Sequence, residues 1–185
     1  MTTRRLFVPV LAALLVAALV GPTGVTAVEP RTVTAKIMIP AAAFVLVPHQ
    51  GDYVDYANYG DTLQGNYWWH QSFLAPVEFP VPQVTVRSIA LYAYDHDGTT
   101  ARVCASLYRS TPAQGPGQTK LQTKACTAES PSNPQVAKPL VRIANAIVNT
   151  GINGSYLRVD FDANGPQTPV QLFGVQVTYV YEAGA

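Results

Sequence analysis

Charge is scarce in this chain: 12% of its 185 residues are charged, and 12 Lys+Arg against 11 Asp+Glu leave a net charge of +1. A surface so near neutrality offers no basic stripe that would hold nucleic acid by counterion release. Cysteine is limited to Cys104 and Cys126, too few for a disulfide-knotted scaffold or a zinc-ribbon spacing. His49, His70 and His96 are too scattered for a sequence-local metal site. There is also no Gly-x-Ser-x-Gly elbow, no phosphate-cradling glycine loop and no His-Glu-x-x-His pattern, which removes the commonest motif-borne chemistries. Disorder is excluded from the other direction. The chain is 48% hydrophobic with ten Tyr and two Trp, enough apolar surface to offset its ordering entropy.

One long apolar run is present, and it lies at the N-terminus. Arg4 and Arg5 precede the run Leu6 to Val20, Gly21-Pro22 breaks it, and Val25-Thr26-Ala27 sets small residues at the positions a signal peptidase reads. The run is shorter than the roughly 20 residues a spanning helix needs, so residues 1–27 read as a signal peptide cleaved after Ala27. An uncleaved anchor is the competing reading, and Thr3-Arg4-Arg5-Leu6-Phe7 leaves twin-arginine export open beside the general route. The mature product would be residues 28–185, a single domain without a membrane span, secreted to the extracellular space or cell envelope. In that oxidising setting Cys104 and Cys126 are expected to form a disulfide, with two buried thiols as the alternative.

Periodicity in the mature chain is of the two-residue kind that strands require. Ile89, Leu91 and Ala93 alternate with Ser88, Ala90, Tyr92 and Tyr94, and Ala101, Val103, Ala105 and Leu107 alternate with Arg102, Cys104, Ser106 and Tyr108. Asp95-His96-Asp97-Gly98 between them has turn composition, which predicts a hairpin. Further strands are predicted over 33–39, 44–47, 72–77, 84–86, 119–127, 156–161 and 172–181, with Asn153-Gly154 as a turn. Residues 140–148 read as a strand or, given Asn145 and its neighbouring alanines, a short helix. Many short strands punctuated by the 13 Pro and 11 Gly of residues 28–185, with no long helical pattern, give an all-β, antiparallel, jelly-roll-like β-sandwich.

Several phrases carry a resemblance. Ile37-Met38-Ile39-Pro40-Ala41-Ala42-Ala43-Phe44 and the tyrosine-rich stretch after it, Phe73-Leu74-Ala75-Pro76-Val77, Leu91-Tyr92-Ala93-Tyr94-Asp95, Ser106-Leu107-Tyr108-Arg109 and Leu172-Phe173-Gly174-Val175 are similar to exported bacterial β-sandwich proteins of uncharacterised function. The resemblance runs from about Ala35 to Tyr179. It implies the sandwich fold and carries no activity.

Two segments have the composition of a ligand site. Tyr53, Tyr56, Tyr59, Tyr67, Trp68 and Trp69 are interleaved with Asp52, Asp55, Asn58, Asp61 and Gln64, as in carbohydrate sites where rings stack on a sugar and acids or amides take its hydroxyls. The same rings would serve equally to cover an edge of the sandwich. Asp160, Asp162 and Asn164 with Gly165 match the first half of a calcium loop. Its twelfth position, however, is Gln171 and its seventh is Pro166, so a plain hairpin turn is the competing reading and no cofactor is required. The expected function is therefore a secreted, non-catalytic binding or surface-structural module whose partner is a glycan or another exported protein. The alternative is a small extracellular glycan hydrolase using acids from among Asp52, Asp55, Asp61 and Glu78. Self-assembly through the Val- and Tyr-rich last strand is a third reading.

Overall fold

The computed structural model describes residues 31–47, 56–65, 70–95, 101–111, 118–121, 124–127, 135–137, 140–163 and 170–184. The expected leader and its cleavage point fall outside these residues. In chain order the strands are β1 (Arg31–Pro40), β2 (Val45–Leu46), β3 (Tyr56–Asn58), β4 (Leu63–Gly65), β5 (Gln71–Pro76), β6 (Gln83–Asp95), β7 (Ala101–Ser110), β8 (Gln118–Lys120), β9 (Ala125–Cys126), β10 (Gln135–Ala137), β11 (Leu140–Asn149), β12 (Gly154–Ala163) and β13 (Val170–Ala183). A single 3-10 turn, Ala41–Ala43, follows β1.

Every pairing among the described residues is antiparallel. In the first sheet β13 lies between β1 and β6, β6 carries β10 and β11 on its far side, and the β3–β4 hairpin extends the β1 side of β13. The second sheet runs β2, β5, β12, β7, with β8 and β9 both on the outer side of β7. The orders β1-β13-β6-β11 and β5-β12-β7-β8/β9 are those of two interlocked Greek keys, the jelly roll. Inward side chains of both sheets form one core. Leu91, Ile89 and Val177 face it from the first sheet and Leu157, Leu107 and Phe73 from the second, all fully buried. Phe73 and Phe161 meet at 5.1 Å with their rings tilted by 51°. Truncating such a ring to Ala would cost on the order of 3–5 kcal/mol.

Three expectations are corrected. The runs 88–94 and 101–108 do not form a hairpin: β6 belongs to the first sheet and β7 to the second, and the two are not paired. Turn composition marks a reversal of the chain but does not choose the partner, and in a jelly roll consecutive strands change sheets. The segments 84–86 and 88–94 are one bent strand. Ser88 pairs with Thr178 and Val86 with Tyr179, which leaves Arg87 as a bulge residue that switches the inward set from Val84 and Val86 to Ile89, Leu91 and Ala93. Residues 119–127 are two short strands, because the chain advances five residues from Lys120 to Ala125 while β7 recedes three, from Tyr108 to Ala105. Residues 140–149 are a strand whose register breaks between Arg142 and Ala146, where Asn145 stands.

Candidate functional site

Cross-strand register writes rows across the outer face of the second sheet. Ser72, Asp160, Cys104 and Cys126 occupy one row; Leu74, Arg158 and Ser106 the next; Pro76, Tyr156, Tyr108 and Lys120 the third. Cys104 and Cys126 are directly opposed with Cα atoms 4.1 Å apart, and they form the expected disulfide. Of the two kinds of antiparallel pair, the non-hydrogen-bonded one brings its Cα atoms closer, and this is such a pair. Thr127 closes the adjacent rung through its N–H to the Val103 carbonyl at 2.9 Å.

Asp160 is the charged centre of this face and is only 3% exposed. Its Oδ1 accepts from Arg158 Nε at 2.6 Å and from Ser72 Oγ at 2.8 Å, while Lys124 Nζ stands 3.2 Å from Oδ2. Arg158 Nη2 also donates to Ser72 Oγ at 2.9 Å, closing the triangle. Burial alone would push the Asp160 carboxyl up, but the hydrogen bonds from Arg158 and Ser72, the Arg158 charge and Lys124 together hold it below the usual carboxylate range. This first residue of the calcium-loop pattern thus has both oxygens committed to cations and a hydroxyl. Asp162 lies on β12 opposite Arg102, and Asn164 lies outside the described residues. Among the described residues no group of three His, Cys, Asp or Glu side chains is placed to hold a metal.

Tyr156 and Tyr108 stack face to face in the third row, centroids 5.2 Å apart and planes within 4°. Both are half-buried. Burial, then the neighbouring Tyr108, raises the Tyr156 hydroxyl above its ordinary range against the opposing charge of Arg158.

One register step beyond this stack the sandwich ends in a cavity of about 430 Å³ between residues 76–79 and the turn that leads into β12. The turn is built by two asparagines. Asn149 Oδ1 accepts from Gly151 N–H at 3.1 Å, Asn153 Oδ1 accepts from Asn149 N–H at 3.1 Å, and the Asn149 carbonyl accepts from Asn153 N–H at 2.8 Å. Asn153 Nδ2 donates to Thr111 Oγ1 and Thr150 Oγ1 to the Pro82 carbonyl, tying three connections together. The Val77 N–H to Ser155 carbonyl bond carries the β5–β12 ladder to the cavity edge. Gly154 keeps the turn close to β7, since a Cβ there would meet Ser110 Oγ at 2.8 Å. Phe79, Val77 and Pro76 supply the apolar lining; Glu78, Thr150, Asn153 and Ser155 supply the polar one. The hydroxyl of Ser155 is buried and has no hydrogen-bond partner among the described residues. The volume of the cavity lies within the range of small-molecule sites.

Of the aromatic candidates, Tyr53, Tyr67, Trp68 and Trp69 lie outside the described residues, Tyr56 is placed on β3 opposite Gly65, and Tyr59 is 67% exposed beside the β3–β4 turn. The structure thus brings together Glu78, which composition had singled out among the acids, and Ser155, Asn153 and Phe79, which it had not. Their signal was the Asn-Thr-Gly-Ile-Asn-Gly run at 149–154, readable as a turn and silent about what faces it.

No family model matches the chain, and no curated protein matches it. Solved structures do. A family two carbohydrate esterase from Cellvibrio japonicus is 10% identical with a TM-score of 0.36, the match covering 82% of this chain and 35% of that one. Infectious bursal disease virus Gx strain is 11% identical with a TM-score of 0.38, covering 83% and 33%, and the VP2 subviral particle of that virus is 12% identical with a TM-score of 0.36, covering 83% and 34%. The chain spans about a third of the length of the solved structures it matches. The jelly-roll description rests on this chain's own strand order.

Proposed function

We propose that the protein is an exported, non-catalytic β-sandwich binding module whose ligand is a glycan. The observation that carries this reading is the cavity at the 76–79 and 150–155 end, whose lining sets Pro76, Val77 and Phe79 beside Glu78, Thr150, Asn153 and Ser155. Sugars present C–H faces and hydroxyls together, and such a mixed lining answers both. The half-buried Tyr156–Tyr108 stack one row away would extend the contact along the sheet. Export is supported by the arginine pair and apolar run of residues 1–27 and by the Cys104–Cys126 disulfide, a bond that persists in oxidising compartments. Among the described residues no helix is long and apolar enough to cross a membrane.

Polysaccharide pull-down and a glycan array with the mature chain test the proposal. Retention of a glycan without release of product is the expected result, with retention reduced by Glu78→Ala and by Tyr156→Ala. Release of reducing ends, abolished by changing one acid, would make the protein a hydrolase instead. Capture of an exported protein with every glycan rejected would also overturn the reading. The Trp68→Ala, Trp69→Ala double variant adds a decisive arm: loss of binding in a folded protein would move the site to the aromatic segment.

A further inference from the structure

We infer that Arg158 and Lys124, on the outer face of the second sheet, hold the carboxylate of a uronic acid, so that acidic polysaccharides are the glycan class bound; this rests on the glycan-binding reading above and narrows it. Charge in that cluster does not balance. Two cations, Arg158 and Lys124, converge on the single carboxylate of Asp160. Asp160 is sealed at 3% exposure, whereas the side chains of Arg158 and Lys124 are 37% and 38% exposed, so the part of the cluster that reaches solvent is the positive part. Both cations also have donors to spare. Arg158 gives Nε to Asp160 and one N–H of Nη2 to Ser72 Oγ, which leaves Nη1 and the second N–H of Nη2 without a partner among the described residues. Lys124 Nζ meets Asp160 Oδ2 at 3.2 Å and keeps two N–H groups free among the described residues. In the next row Arg102 stands opposite Asp162, one charge of each sign, so that row does not absorb the excess.

Asp160 prepares the two cations for a ligand by tethering both head groups to one carboxylate, which removes rotamer freedom that a free surface Lys or Arg would lose only on binding. The guanidinium presents its spare N–H groups as a planar fork, and a carboxylate matches that fork with parallel hydrogen bonds. A carboxylate also spreads its charge over two oxygens and a sulfate ester over three, so the carboxylate is the stronger acceptor. The sugar carrying it has neighbours to meet. Tyr156 lies two residues from Arg158 on the same face of β12, roughly 7 Å along the strand, and the Arg158 charge is felt at its hydroxyl. Because Tyr156 and Tyr108 stack on each other, they turn outer edges and hydroxyls, not their shared faces, toward a ligand. Phenol hydroxyls beside a cationic fork complement ring hydroxyls beside a carboxylate. The cavity has the opposite sign, since Glu78 is the one charged residue lining it among the described residues. A glycan that spans both places a neutral residue in the cavity and its acid over the sheet.

Matched tetramers test this: β-1,4-linked glucuronic acid against β-1,4-linked glucose, and α-1,4-linked galacturonic acid against α-1,4-linked galactose, each pair differing only in a carboxylate for a hydroxymethyl group. Isothermal titration of the mature chain at low salt is expected to show a uronate tetramer binding about tenfold tighter than its neutral counterpart, a preference that falls about threefold or more at roughly 0.5 M salt. Lys124→Gln should weaken the uronate about three- to fivefold and leave the neutral tetramer within about twofold, while Lys124→Arg retains the preference. Thermal midpoints check that these variants fold; Lys124 is the residue to change because Arg158→Gln would strip Asp160 of its closest partner. Equal affinity within both pairs, or a preference unchanged in Lys124→Gln, overturns the inference and leaves the glycan reading standing. A 6-sulfated glucose tetramer that binds as tightly as the glucuronate one overturns the choice of a carboxylate. Should all the tetramers be rejected, array retention of uronate-bearing glycans above neutral ones supports the inference, retention confined to neutral glycans overturns it alone, and rejection of every array glycan overturns both readings.

Discussion

The two outer faces of the sandwich are built on different terms. On the first sheet the outward residues of β1, Thr32, Thr34, Lys36 and Met38, are all exposed, and their neighbours across β13 are polar or half-buried. Solvent satisfies that face. On the second sheet the outward residues Ser72, Asp160, Cys104 and Ser106 are as buried as the core beneath them, at 3% exposure or less. Here the protein supplies part of what water supplies elsewhere, two cations and a hydroxyl for the Asp160 carboxylate and a covalent bond for the sulfur atoms, while the Ser106 hydroxyl has no hydrogen-bond partner among the described residues. Stability should therefore be distributed unevenly between faces that share one core.

The largest expected effect tests the covalent part. Replacing both cysteines by alanine, or reducing the bond, should cost about 3 kcal/mol, because the bridge closes a loop across a sequence separation of 22. Urea unfolding with and without reductant measures it. An unchanged midpoint would mean that β9 is held to β7 by its hydrogen bonds alone, and the contrast between faces would lose half its basis.

Asp160→Asn comes next, at about 2 kcal/mol. A sealed ion pair broken on one side costs on the order of 3–5 kcal/mol, but the side chains of Arg158 and Lys124 are 37% and 38% exposed and can turn to water. The acid limb of the pH profile sharpens the point. The folded carboxyl titrates below its ordinary value near 3.8, so the unfolded chain takes up the proton first as pH falls. The stabilisation is thus complete above that value, begins to fall below it and is lost as pH drops through the lower value of the folded carboxyl. Wild type should lose stability below about pH 4 while the Asn variant loses less, so that the gap between them closes. A gap that stays constant from pH 6 to pH 2 would remove the carboxylate from the explanation.

This asymmetry also explains how much was legible in the sequence. Alternation at Ile89, Leu91 and Ala93 and at Leu157, Val159 and Phe161 reports core-facing positions, and all six are buried. The same pattern assigns Cys104, Ser106 and Asp160 to an outward face correctly, yet says nothing about whether that face is wet. What buries it is long-range: Ser72 and Asp160 are 88 residues apart. The strand pairings of β6 and β7 escaped for a related reason, since register and sheet membership are set by which apolar faces meet across the core and not by the turn between neighbours. At the cavity, Glu78 and Ser155 converge only because the β5–β12 ladder runs on to Val77, and no local signal records that pairing. The disulfide was readable because two cysteines admit one partner each.

On the first sheet the sensitive point should be backbone proximity and not polarity. A Cβ on Gly174 would lie 2.7 Å from the Ile39 carbonyl, an atom held in the β1–β13 ladder, so Gly174→Ala should cost about 1–2 kcal/mol by displacing β1. The outward side chains there should matter least. Lys36 faces Thr178, which faces Ser88, which faces Arg142, a row with cations at both ends and no acid between them. Lys36→Ala removes an exposed charge that makes no ion pair within that row, and should shift stability by no more than about 0.5 kcal/mol, equally at pH 6 and pH 3. Thermal melts at the two values check this against Asp160→Asn. If the lysine variant lost as much as the aspartate one, or lost it with the same pH dependence, charge on the two faces would be equivalent, and the burial of Asp160 would not be what distinguishes them.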